Sequence, residues 1–246
     1  MISPGRAAVV LIGPESATLG VYARLDSGRV RAHARRTAPL PDAAWPAVRE
    51  ALHQLVALAR ARRADAVTVA LRATLRAVRW RTSAADEARR LGCEPLALTS
   101  DDELRWLFLG SLHDQRAQNG VVAELERDGM ALARFRGRLL AATARIGLGA
   151  APADSGLVPG RCEALIASGS LVAQLAARLG AANHQAALTR TAVARLARTR
   201  GPDAAAALAL RRLMDWTGQD TAAVARDALV HGLAATLLHA PVPYVG

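Results

Sequence analysis

The sequence predicts an α/β protein made of two similarly built halves, and three observations predict it. A run of three short strands followed by helix and strand occurs twice along the chain. Turn residues separate segments of strand and helix periodicity throughout. The 246 residues, 52% of them apolar, are enough to fill two modest cores.

In the first half, residues 7–12 form an apolar run that reads as a buried strand, and Gly13, Pro14, Glu15 and Ser16 supply the turn after it. Residues 18–25 alternate with a period near two. Asp26, Ser27 and Gly28 then form a hairpin turn into a third strand over residues 29–35. Pro39 and Pro41 mark a loop. Asp42 is the expected N-cap of a helix that sets Trp45, Val48, Leu52, Leu55, Val56 and Ala59 on one face. Residues 65–71 read as a strand, and 83–91 as a helix opened by Ser83 and closed by Gly92. A short strand over 94–98 and a helix over 101–112 complete the half.

The pattern then restarts. Residues 120–125, 130–136 and 139–146 read as a second meander, joined by turns at Arg127-Asp128-Gly129 and Arg136-Gly137. Residues 151–160 are a Pro/Gly loop and 163–167 a strand. Ser168, Gly169 and Ser170 lead into a helix over 171–179. Helices over 189–199, 203–216 and 221–239 follow. Two such units facing a cleft are the plan of actin, hexokinase and Hsp70. The expected fold is therefore two actin-like (ASKHA, ribonuclease H-like) lobes around a cleft. The first lobe spans 1–112 and the second spans 113–246 with its terminal helices.

Composition narrows the function classes. The net charge of +11 comes from arginine alone, since the chain has no lysine. It reflects either a GC-rich genome, as in many bacteria, or a phosphate-rich partner. Aromatics at 3% supply no stacking platform, and there is no helix-turn-helix pattern, so nucleic acid is not an expected partner. No run approaches the roughly 20 uncharged apolar residues of a membrane span. The apolar run at 7–12 is too short for a signal peptide, so the expected location is the cytoplasm. Cys93 and Cys162 read as reduced core thiols. The six histidines lack metal-ligand spacing, and His231 and His239 read as surface or packing residues. Trp45, Trp80, Trp106 and Trp216 read as core or interface anchors.

Five segments carry a resemblance. Residues 8–19, Ala-Val-Val-Leu-Ile-Gly-Pro-Glu-Ser-Ala-Thr-Leu, are similar to a phosphate loop of the form Ala-Val-Ile-Asp-Ile-Gly-Ser-Asn-Ser-x-x-Leu. Residues 71–78 resemble an Ala-Thr-Ser-Ala-Leu-Arg-Glu-Ala segment. Residues 102–110, Asp-Glu-Leu-Arg-Trp-Leu-Phe-Leu-Gly, resemble a Glu-Glu-Ala-Arg-Leu-Ile-Tyr-Leu-Gly helix, the most telling of the five. Ser168-Gly169-Ser170 resembles a Ser-Gly-Thr loop, and residues 229–233 a Leu-Arg-Glu-Gly-Leu segment. In order and in register, these resemble the exopolyphosphatase/guanosine-pentaphosphate phosphatase (Ppx/GppA) family, and they identify the chain as a degenerate, shortened member.

The resemblance implies a set of site residues. Glu103 or Asp102 takes the place of the glutamate that activates the attacking water. Gly13, Ser16, Arg76, Gly169 and Ser170 take the places of phosphate-binding groups, and Arg72, Arg79 and Arg81 lie nearby. The other reading of Asp101, Asp102 and Glu103 is that they are first-turn acids of a helix capped by Thr99 or Ser100. An active member would use Mg²⁺ to hydrolyse polyphosphate or a nucleotide polyphosphate. Members often pair, which implies a homodimer.

Departures from the pattern point toward lost chemistry. Leu11 stands where the family has a metal-holding aspartate. Pro14 has no N–H to give a phosphate, and Glu15 repels one. The glycine-rich second loop is replaced by residues 124–132, Glu-Leu-Glu-Arg-Asp-Gly-Met-Ala-Leu, which read as an ordinary hairpin. The expected protein is thus a pseudoenzyme that keeps an anion-, ligand- or partner-binding role. An active hydrolase and a basic nucleic-acid-binding protein are the alternatives.

Overall fold

The computed structural model describes residues 5–40, 44–75, 78–113, 115–181, 186–201 and 203–238. The chain divides into two compact units. One comprises the residues through Trp106 together with the stretch from Leu229, and the other runs from Leu107 through Ala228.

In the first unit the expected meander forms. β1 (Arg6–Ile12) runs antiparallel to β2 (Ser16–Arg24), and β2 runs antiparallel to β3 (Val30–Pro39). A long helix, α1 (Trp45–Ala61), then crosses to β4 (Ala66–Leu71), which lies parallel to β1. The cap of α1 is Ala44, followed by Pro46 in the first turn, where a missing N–H is harmless. Asp42, the expected cap, lies outside the described residues. α2 (Arg81–Arg90) starts before Ser83, with Trp80 as its cap residue. β5 (Glu94–Ala97) adds parallel to β4 and completes the sheet order β3-β2-β1-β4-β5.

One face of this sheet packs on α1 and α2. Val48, Leu52, Leu55, Val56 and Ala59, all on the predicted face of α1, meet Val10, Leu19 and Val21 there. The other face carries Ala7, Val9 and Tyr22 against Leu229, Val230, Leu233 and Ala234 of the last described helix. Gly20 allows that approach. A Cβ at this position would lie 2.4 Å from the Tyr22 ring and 2.8 Å from Val230 Cγ1.

α3 (Ser100–Leu112) leads into the second unit. There β6 (Asn119–Glu126), β7 (Gly129–Arg136) and β8 (Leu139–Ile146) form the second meander. β9 (Ala164–Ser168) lies parallel to β6, and α4 (Ser170–Arg178) follows it directly. β10 (Ala187–Thr189), α5 (Arg190–Ala197), α6 (Ala204–Thr217), β11 (Thr221–Val224) and α7 (Ala228–Leu237) end the described chain. The sheet order is β10-β11-β9-β6-β7-β8. Val121, Ala123, Leu125, Leu165 and Ala167 bury one face of it against Leu175, Leu210, Leu213 and Met214. Phe108 and Phe135 meet in the same unit, with ring centroids 6.1 Å apart.

Two expectations are corrected here. Residues 221–239 are not one helix. The segment Thr-Ala-Ala-Val instead extends the sheet as β11, parallel to β9, with Ala222 and Val224 buried, and the helix starts at Ala228. Four residues of alternation are too short a signal to stand out from the alanine-rich run behind them. Thr189 likewise ends a short strand, and its hydroxyl accepts the Ala192 N–H at 3.3 Å to cap α5. The apolar side of α7 is buried in the first unit.

Candidate functional site

In the first unit the candidate residues gather at the carboxyl ends of β1 and β4, the region where open α/β sheets bind ligands. β1 ends at Ile12 beside Leu71, and Arg72 N–H donates to the Ile12 carbonyl at 3.0 Å. Gly13 begins the tight turn into β2, and its N–H donates to the Ser16 carbonyl at 2.9 Å. The Gly13 amide is therefore used inside its own turn. The stem of Arg72 lies over this glycine, because a Cβ there would sit 3.3 Å from Arg72 Cδ.

Glu103 reaches this point from the first turn of α3. Its Oε1 accepts Arg72 Nε–H at 3.2 Å and the Ala73 N–H at 2.8 Å. The side chains of Arg72 and Glu103 are 9% and 1% exposed, so the ion pair lies out of water. Asp102, one residue earlier, does something different. Its Oδ2 accepts from Thr99 N–H at 3.0 Å and Thr99 Oγ1–H at 2.6 Å, while Asp102 N–H donates to Thr99 Oγ1 at 3.1 Å. That is a reciprocal capping box fixing the start of α3. Arg76 lies outside the described residues.

In the second unit the parallel pairing of Glu124 with Ser168 places the end of β6 beside the start of α4. Gly169 turns the chain there at φ 98°, and a Cβ would lie 2.4 Å from the Leu125 carbonyl oxygen. Only glycine fits. Glycine has no side chain to cap a helix, and Glu126 serves instead. Its Oε1 accepts the Ser170 N–H at 3.1 Å, and its Oε2 accepts the Ser170 hydroxyl. A carboxylate at a helix N-terminus meets the same amide and dipole that a phosphate would. Arg127 and Asp128 close an ordinary hairpin between Glu126 and Gly129, as the sequence predicts.

The structure thus brings Gly13, Arg72 and Glu103 together, with Ser16 across the same turn, and sets Gly169 and Ser170 against Glu126. Sequence reasoning passed over two of these partners. Arg72 was noted only as a neighbour of Arg76. Glu126 reads from sequence only as part of an ordinary hairpin, although its place at the end of a strand parallel to β9 is the available signal.

Mg²⁺ does not fit the residues present. Leu11 offers no oxygen and packs beside the cluster around Tyr22. Among the described residues no three His, Cys, Asp or Glu side chains converge as metal ligands. Both cysteines are free, and burial pushes each thiol above its usual range, so neither is poised as a nucleophile. The His231 ring meets Tyr22 at a tilt of 56°, with centroids 5.1 Å apart. Among the described residues no helix is long and apolar enough to cross a membrane.

No protein-family model matches the chain, and no curated protein matches it. Solved structures do. An exopolyphosphatase from Cytophaga hutchinsonii superposes with a TM-score of 0.79 at 10% identity, over 95% of this chain and 98% of that one. The Aquifex aeolicus Ppx/GppA enzyme gives 0.76 at 13% identity, over 95% and 99%. A type II variant of the Aquifex aeolicus Ppx/GppA phosphatase gives 0.71 at 12%, over 94% and 98%. At these identities the likeness is one of architecture: the chain takes the actin-like α/β fold of the Ppx/GppA phosphatases.

Proposed function

We propose that this chain is a non-hydrolysing relative of the Ppx/GppA phosphatases, a cytoplasmic pseudoenzyme that binds polyphosphate or a nucleotide polyphosphate without cleaving it. The observation that carries the reading is the state of Glu103. A general base must meet the proton it removes within hydrogen-bond reach of a water. Glu103 is 1% exposed and bonded to Arg72 and the Ala73 amide. Its charge holds two structural elements together.

Three further features support the reading. Glu126 occupies the α4 terminus, the Gly13 amide is internally bonded, and the Leu11 side chain has no oxygen to offer a metal. Losing a positioned base and an electrostatic clamp together removes a rate factor on the order of 10⁴ or more. What persists is positive charge on each unit. The net charge is +11, with Arg31 and Arg36 exposed on the first unit and Arg195, Arg198 and Arg200 exposed on the second. Positive charge of this kind attracts a polyanion without chemistry.

Melting curves with and without polyphosphate, at matched ionic strength, test the binding half of this reading. A rise in Tm with no phosphate released is the expected result. An unchanged Tm over the full range of polyphosphate concentration would remove the polyanion as a ligand.

A further inference from the structure

The hairpin of β2 and β3 carries one sign of charge. Residues 16–40 hold five arginines, Arg24, Arg29, Arg31, Arg35 and Arg36, against one carboxylate, Asp26. Arg31, His33 and Arg36 of β3 are exposed, and among the described residues none of them meets a carboxylate.

β3 is also the outer strand of its sheet. Among the described residues its strand partner is β2 alone. An edge strand offers main-chain N–H and C=O groups that another strand can complete. A bulge interrupts the register at His33, where Tyr22 faces Ala32 and Val21 faces Ala34. Beyond it, residues 34–38 pair with β2 one to one. Arg36 shares a face there with Ala34 and Ala38, which pack on the core beneath α1, so it is the one long side chain on that face of the segment.

We infer that β3 is a docking edge for an extended acidic segment of another protein, which adds to the sheet as a strand and sets its carboxylates beside Arg31 and Arg36. Opposite charges on neighbouring strands attract, and like charges repel. The arginines that turn away a second copy of β3 therefore admit an acidic strand, so charge selects the partner. The net charge of +11 adds attraction at longer range. A peptide suits this edge better than a phosphate chain does. Phosphate oxygens answer the arginines but only accept hydrogen bonds, whereas the carbonyls of an edge strand need donors. The other edges lack this pairing of charge with length. β10 has three residues, β5 has four with Pro95 among them, and β8 is bulged and carries one arginine in eight residues. The inference goes beyond the ligand reading above and does not depend on it.

Fluorescence anisotropy of a labelled peptide of about ten residues, alternating glutamate and threonine, titrated with the full chain at about 0.15 M salt, reads the docking. Saturable binding is expected, with none for the lysine–threonine counterpart. Arg31→Glu combined with Arg36→Glu is expected to weaken binding at least about tenfold with the melting temperature unchanged. Arg105→Glu combined with Arg136→Glu makes the same change of net charge at exposed positions outside β3 and should stay within about twofold of wild type. Hydrogen exchange on the wild-type chain gives an arm that needs no variant. The peptide should slow amide exchange within residues 31–38, and saturating polyphosphate should not. No saturable binding, equal losses in the two double variants, or equal protection of β3 by polyphosphate would each overturn the inference.

Discussion

Glu126 takes the position that a bound anion takes at an open helix N-terminus, and Gly169 makes that arrangement possible. Their energetic roles are separable. Glu126→Ala leaves the Ser170 N–H without its cap and should cost about 1 kcal/mol in urea unfolding, the usual worth of an N-cap. Gly169→Ala is more severe. It forces a Cβ to 2.4 Å from the Leu125 carbonyl oxygen at a left-handed φ of 98°, and should cost about 2–4 kcal/mol. A loss under about 0.5 kcal/mol in the same assay would mean that the Leu125 backbone moves aside freely. These residues show how far a sequence reaches at this scale. Gly169, Ser170 and Glu103 were visible as positions in a pattern. Their partners were not, because Arg72 meets Glu103 across 31 residues and Glu126 meets Ser170 across 44. Asp102 was legible in its plainer role, since Thr99-x-x-Asp is a local spacing.

Elements in this fold are tied by a few charged groups whose effects can be measured. Glu87 of α2 accepts His53 Nε2 of α1 at 2.6 Å and Arg49 Nε–H at 3.2 Å, and Arg90 Nη1 at 2.5 Å. The His53 bond, assisted by Arg49 and Arg90, holds the Glu87 carboxyl below its ordinary range against the opposing effect of burial. A lowered folded-state pKa contributes stability above the unfolded value, and that stability is lost as pH falls through the folded one. Wild type should therefore exceed Glu87→Gln in stability above about pH 5, and the gap should close on acidification toward about pH 3. A gap that stays constant from neutral pH to acid would contradict the lowered pKa. At the far end of α3, Arg138 in the hairpin between β7 and β8 donates to the carbonyls of Leu112, Gln115 and Ala117. It does so from a left-handed φ of 63°, which glycine adopts at no cost. Arg138→Gly thus removes the cap without adding strain, and a net loss of about 1–2 kcal/mol is expected in chemical denaturation. A neutral or stabilising result would show that those carbonyls are as well served by water. The meanders and long helices were read from periodicity and turn residues. The three-residue and four-residue strands β10 and β11 were not, because strands that short owe their form to neighbours rather than to propensity.

At the scale of the whole molecule the chain repeats one plan and then departs from it. Both units begin with a meander whose first strand pairs in parallel with a later one, β1 with β4 and β6 with β9. The repeat was legible, and so was the likeness to a phosphatase fold. The return of α7 to the first unit was not, since nothing local in an apolar helix says which sheet face lacks a cover. In the proposed reading each unit fills the place of an anion with its own side chains: Arg72 is bonded to Glu103 in one, and Glu126 to the Ser170 amide in the other. Phosphate release from polyphosphate and from guanosine pentaphosphate, measured with Mg²⁺ for wild type and Glu103→Gln, tests that account most directly. The prediction is release at background for both proteins. Release by wild type that Glu103→Gln abolishes, in a variant that still folds, would show an open and working site and contradict it.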